Sequence, residues 1–114
     1  MPAWICATCA VQYPDTAEAP PRCPICEDER QYVGWDGQRF TTAADLARDH
    51  ATDIREEEPG LLGIGVTPAI GIGQRALLVR TAHGNVLWDA IPLLDEAGRE
   101  AIAAAGGIDT ICIS

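Results

Sequence analysis

Apolar residues are arranged differently in the two halves of the chain. From Leu61 onward they come in short runs punctuated by glycine: Leu61 to Val66, Ala69 to Gly73, Arg75 to Thr81 and Val86 to Ile91. Such Val, Ile and Leu runs on either side of Ala82-His83-Gly84-Asn85 predict a β-hairpin within a sheet. Gly63, Gly65, Gly71 and Gly73 mark bulges or close backbone approaches. A phosphate cradle does not fit them, because Gly71-Ile72-Gly73-Gln74-Arg75-Ala76 lacks a third glycine and opens no helix. Asp95 is placed to cap a helix running to Ala105, and Gly106-Gly107 supplies a left-handed stop. Ile108 to Ile113 then predicts a buried strand, so that the region reads as half of an α/β unit.

Earlier in the chain the pattern is sparser. Thr42, with Asp45 three residues later, resembles a capping box, and Ala43, Leu46, Ala47 and Ile54 form a narrow apolar stripe ending before Pro59-Gly60. Residues 36–60 therefore read as a helical connector lying on the surface, with Glu56-Glu57-Glu58 as its solvated end. His50 falls four residues from both Leu46 and Ile54, which makes it a packed or half-buried histidine rather than a ligand. Residues 1–35 have few aliphatics, but Trp4, Tyr13, Tyr32 and Trp35, with Val33, are dense enough to build a small core. Trp35-Asp36-Gly37-Gln38 reads as a turn.

The 114 residues suffice for one modest core with a stapled appendage and are few for two independent domains. Seventeen acidic against eight basic residues give a formal charge of −9 with no basic stripe, which argues against a nucleic-acid partner. No apolar run approaches the length of a membrane span, and no charged n-region with an apolar h-region opens the chain. The expectation is a soluble, cytoplasmic protein.

Candidate chemistry centres on Cys6-Ala7-Thr8-Cys9 and Cys23-Pro24-Ile25-Cys26. Two Cys-x-x-Cys pairs put four thiolates on one metal, closing a tetrahedral shell with no position left for substrate, the pattern of a structural site. Disulfides lack an oxidising destination, and a thioredoxin-type pair would need to follow a buried strand and open a helix. The metal ligands are thus Cys6, Cys9, Cys23 and Cys26, with zinc favoured and iron as the alternative. One Zn²⁺ with four thiolates takes the net charge to roughly −11. Cys112, in an apolar strand with no basic neighbour, reads as an inert thiol.

Trp4 to Tyr13 together with Ala19 to Cys26 resembles zinc ribbons, and also the rubredoxin-like domain found in rubrerythrins. In the iron pattern a glycine usually follows the second cysteine of each knuckle; Ala10 and Glu27 occupy those places, which favours zinc. Further on, Ile72 to Thr81, Gly84 to Asp89 and Gly107 to Ser114 resemble the opening of a metallo-β-lactamase-fold hydrolase. That resemblance implies a strand, a returning hairpin strand ending in an aspartate at Asp89, and a strand leading to a His-x-His-x-Asp-His metal loop. The loop is not in this sequence, and Ala90-Ile91-Pro92 replaces the usual glycine after Asp89. Asp89 alone carries over, as a support of the active-site floor rather than a ligand.

The expected fold is α+β: a four-cysteine, zinc-ribbon-like module over residues 1–35, the helical connector at 36–60, and at 61–114 the hairpin, helix and strand that open a metallo-β-lactamase-like αββα sandwich. The expected function is that of a zinc-binding N-terminal portion of such a hydrolase, without catalysis of its own because His50 and His83 cannot assemble an open metal site. The alternatives are a rubredoxin-like iron electron carrier and a ribbon serving as a protein-interaction adaptor. A sheet lacking its covering half would self-associate through an exposed edge.

Overall fold

A computed structural model describes residues 2–31 and 33–113, and in these the chain forms two sheets and two helices, a mixed α+β arrangement. The first sheet contains β1 (Ala3–Cys6), β2 (Gln12–Asp15) and β3 (Phe40–Thr42), antiparallel in the order β2-β1-β3. Thr42 ends β3 and caps α1 (Ala43–Leu46), its hydroxyl accepting a hydrogen bond from the Asp45 amide at 3.2 Å. The second sheet runs in chain order through β4 (Ala51–Glu58), β5 (Leu61–Thr67), β6 (Ala76–Thr81), β7 (Gly84–Trp88) and β8 (Thr110–Cys112). Its first four strands are antiparallel, and α2 (Glu96–Ala104) connects β7 to the parallel β8.

The helical connector expected at 36–60 is corrected by this arrangement. The Thr42 cap starts a single turn, and residues 51–58 are the edge strand β4. A helix would bury only a narrow stripe there, whereas the strand satisfies its backbone against β5 and pairs Ile54 with Ile64, Thr52 with Val66 and Glu56 with Leu62. Asp53, Arg55 and Glu57 then point to the opposite face. Arg55 lies 2.9 Å and Arg75 3.3 Å from the Asp53 carboxylate, and Arg75 also reaches Glu57 at 4.0 Å. Gly63 and Gly65 make room for this cluster, since a Cβ on either would collide with the Glu57 or the Arg75 side chain.

Alternate residues of the central strands build the core. Ile64, Ala76, Leu78 and Leu87 meet Ile102 of α2, with Ile54, Leu62, Ile91, Leu94 and Ala105 around them. The hairpin is as expected, with Ala82-His83 between β6 and β7. The helix also starts and stops where anticipated: Asp95 caps it, Gly106 and Gly107 have φ of +111° and +78°, and the Gly107 amide returns to the Ile102 carbonyl at 2.9 Å. Asn85, buried, donates to the carbonyls of Ala105 (3.1 Å) and Gly107 (2.9 Å), tying the helix end to the hairpin. The last strand is a correction. It is not buried but is a three-residue edge with one neighbour, which leaves Ile111 60% and Ile113 67% exposed.

Thr52 and Asp95 lock the edge strand to the helix. The Thr52 amide donates to Asp95 Oδ2 (2.9 Å), the Asp95 amide to Thr52 Oγ1 (3.0 Å), and the Thr52 hydroxyl to the Leu93 carbonyl (3.0 Å). Asp95 Oδ1 meanwhile accepts from the Gly98 amide at 2.7 Å. The helix approaches so closely that a Cβ on Gly98 would lie 2.8 Å from Thr52 Cγ2 and 3.0 Å from Leu94 Cδ1. A second cluster of Ile5, Leu46 and Leu93, joined by Ala10, Val66 and Ile70, packs the first sheet against the second.

Two outcomes are expected. Gly98→Ala should destabilise the protein by about 1–3 kcal/mol from overpacking, although alanine in a helix interior ordinarily stabilises by about 1 kcal/mol over glycine; a lower urea midpoint at constant m-value checks it. The amides of Thr52 and Gly98 hold the Asp95 carboxyl below its ordinary pKa. Its contribution is therefore complete above the unfolded value of about 3.9 and is lost as pH falls through the lower folded value. Asp95→Asn should flatten the acid limb of the stability profile below about pH 4.

Candidate metal centre

Each Cys-x-x-Cys stretch forms a tight turn that aims both sulfurs inward. In the first, Cys6 ends β1, its carbonyl accepts the Ala10 amide at 2.8 Å, and its amide donates to the Val11 carbonyl at 3.0 Å. The return requires a left-handed residue, and Ala10 takes it at φ +66°, a conformation that costs an alanine about 1 kcal/mol. The second turn has no flanking strand. It is gripped instead by Gln38, whose Oε1 accepts from the Cys23 amide (2.9 Å) and whose Nε2 donates to the Cys23 carbonyl (3.0 Å). The Glu27 amide also returns to the Cys23 carbonyl at 3.2 Å.

The four sulfur atoms of Cys6, Cys9, Cys23 and Cys26 lie within 4.8 Å of one another. Cys6 and Cys26 are 3.6 Å apart and Cys9 and Cys23 3.8 Å, far beyond a disulfide, and all five cysteines are free. A tetrahedron with metal–sulfur bonds of ~2.3 Å has edges of ~3.8 Å, so these separations fit one cation held by four thiolates. Zinc and iron have similar bond lengths to sulfur, and the geometry is common to both. Among the described residues no other group of three or more His, Cys, Asp or Glu converges in this way.

Cys6, Cys23 and Cys26 are buried and Cys9 half-buried, with Val11, Tyr13, Val33 and Phe40 packed around them. The Tyr13 and Phe40 rings meet edge to face with centroids 6.0 Å apart. Phe40 and Gln38 lie beyond the boundary drawn at residue 35. Trp35 was expected in this core and is instead fully exposed on the Gly34–Gly37 turn; Tyr32 lies outside the described residues.

The thiols of the pocket ionise unequally. Burial raises the Cys26 thiol strongly, reinforced by its hydrogen bonds with Cys6 and Cys9, and burial raises Cys9 as well. Burial also acts to raise Cys23, but the Tyr13 hydroxyl, donating to its sulfur at 3.0 Å, and the Cys26 amide outweigh it and bring that thiol to about 7. Cys23 is thus ready to ionise while Cys9 and Cys26 resist, and a bound divalent cation would remove that resistance.

The other candidates stay apart from the sulfurs. His50 is half-buried, as expected, with Nδ1 2.8 Å from the Pro68 carbonyl and Nε2 3.5 Å from Asp49. His83 is exposed in the hairpin turn, and Glu56, Glu57 and Glu58 are exposed on β4. Cys112 is half-buried on the edge strand β8. Asp89 follows β7 at φ +76°, donates its amide to the Cys112 carbonyl at 2.7 Å and accepts the Ala90 amide on Oδ1 at 3.2 Å. No helix among the described residues is long and apolar enough to cross a membrane.

Tyr13→Phe keeps the ring contact with Phe40 but removes the hydrogen bond to Cys23, so that thiol should become more basic. Competition with a chromophoric chelator across pH should then show zinc released at a higher pH than in the parent, because protons compete better for a more basic thiolate. Among known proteins, the chain is similar to the uncharacterized protein YmaE of Bacillus subtilis (strain 168). It is 41% identical to that protein over 116 aligned positions that take in the whole chain, and it spans 42% of that protein's length. No family model matches the chain. No solved structure matches it.

Proposed function

We propose that this chain is a zinc-holding, non-catalytic N-terminal portion of a hydrolase of the metallo-β-lactamase superfamily, working in the reducing cytoplasm. The four convergent sulfurs carry the zinc reading, because they close a coordination shell and leave no position for a reacting water. The hydrolase relation is supported by the order of hairpin, helix and parallel strand, with Asp89 bound to the end of β8. It is supported further by the sheet face opposite α2, where Leu77, Val79 and Trp88 are 36–47% exposed and suited to a second layer. In such an arrangement the zinc would shape and stabilise the entry segment, and Asp89 would brace the floor of a site completed by other residues.

Elemental analysis should give one zinc per chain, and generic ester, thioester and lactam substrates should not turn over. More than one tightly bound metal together with turnover would overturn the proposal. Coding sequence following residue 114 should contain a His-x-His-x-Asp-His stretch. The half-exposed Cys9 and the exposed Ile25 at the second knuckle's tip favour a second reading, a rubredoxin-like iron carrier with an electron path to the surface. A red preparation that bleaches on reduction would establish it over zinc. The fully exposed Trp35 fits the adaptor reading, which predicts a stable complex lost on Trp35→Ala.

A further inference from the structure

We infer that Gln74, supplied by the turn that leads into β6 of the second sheet, is a positioning residue of the sulfur cluster, so that metal occupancy and the order of that turn are linked. The inference rests on the cluster being a metal site. Gln74 lies two residues before β6 and is 65 residues from Cys9 in the chain, yet its Nε2 donates to the Cys9 carbonyl at 3.1 Å. Its Oε1 accepts from the Ile72 amide at 3.2 Å, so one side-chain amide bridges a ligand residue and the turn that precedes β6.

That turn rests on the first knuckle along its length. The Gly73 amide closes it on the Ile70 carbonyl at 3.0 Å, and Ile70 packs into the cluster of Ile5, Leu46 and Leu93. Gly71, at φ +63°, approaches so closely that a Cβ there would lie 3.1 Å from Ala10 Cβ and 3.5 Å from the Thr8 carbonyl. Gln38 grips the second knuckle from nearby in sequence, and Gln74 does the corresponding work for the first from the turn before β6.

Coupling of this kind is reciprocal: whatever Gln74 adds to metal affinity, the metal adds to the order of residues 70–74. The carbonyl of Cys9 is fixed by the glutamine amide, and its sulfur would be fixed by the metal. Removing either constraint frees the same peptide unit.

The test uses Co²⁺ as a spectroscopic probe of the whole chain, with hydrogen exchange as a second readout. The parent should bind Co²⁺ with the absorption of a four-thiolate tetrahedral site; failure here would end the metal reading itself. Gln74→Ala should then bind Co²⁺ and Zn²⁺ about 10–100-fold more weakly, with shifted cobalt bands. Gln74→Glu should do no better, because a carboxylate cannot donate to the Cys9 carbonyl. Ile102→Val, which trims the core away from the turn, should lower stability and leave both affinity and bands unchanged. In the parent, metal removal should speed amide exchange at Ile72 and Gly73 at least about tenfold. A four-thiolate parent spectrum, combined with unchanged affinity and bands in Gln74→Ala, would overturn the inference. If that variant fails to fold, exchange at Ile72 and Gly73 in the parent that ignores metal removal would overturn it equally.

Discussion

Four sulfurs enclosed in one small pocket are the constraint on which the first third of the molecule depends. Two knuckles with few aliphatic residues cannot bury enough apolar surface to hold their turns. Left as thiols, the sulfurs offer one another only weak, long hydrogen bonds; ionised without a cation, they repel. A divalent cation would resolve both problems together and convert a loop-rich segment into a fixed body. Much around the pocket serves that end: the Tyr13 hydroxyl on Cys23, the Gln38 amide across the second knuckle, and the Phe40 ring closing the side.

The second sheet solves a different problem, that of holding a short helix and an acidic edge strand on a small core. It does so with close approach. Gly98 lets α2 settle onto Thr52, and the reciprocal bonds between Thr52 and Asp95 satisfy the edge backbone and the helix start with the same two side chains. On the other face Gly63 and Gly65 let Glu57 and Arg75 lie flat, so that four charged side chains neutralise one another above β5. Gly63 and Gly65 are therefore places where side chains of neighbouring segments cross the sheet. No phosphate is needed to account for them.

Features governed by local chemistry were legible in the sequence. Cysteine spacing identified the residues that converge, the Thr42 and Asp95 caps and the Gly106-Gly107 stop are where expected, and the hairpin turn is two residues shorter, with Gly84 and Asn85 already in β7. Features that depend on distant partners were not. Thr52 to Glu58 is rich in helix-favouring Glu and Arg, and only pairing with β5 makes it a strand, as tertiary context overrides intrinsic propensity. Trp35 looks like core by composition, yet it occupies a turn with nothing above it. Gln38 and Gln74 carry no motif; a glutamine that binds a backbone is recognised only when that backbone is beside it.

The edges of the second sheet are protected unequally, and this bears on how the molecule meets its surroundings. β4 presents Asp53, Arg55 and Glu56 to Glu58, with a register irregularity between Glu56 and Glu58, the usual means of discouraging another strand from adding. β8 presents Thr110, Ile111 and Cys112, and exposed Ile108 and Ile113 flank it without a charged guard other than Asp109. A chain of formal charge −9 has charge enough to guard both edges and places it on one. The unguarded edge lies beside the uncovered Trp88 of β7, so strand addition and face covering would be satisfied from the same side. That coincidence favours one continuous neighbouring layer over two unrelated contacts.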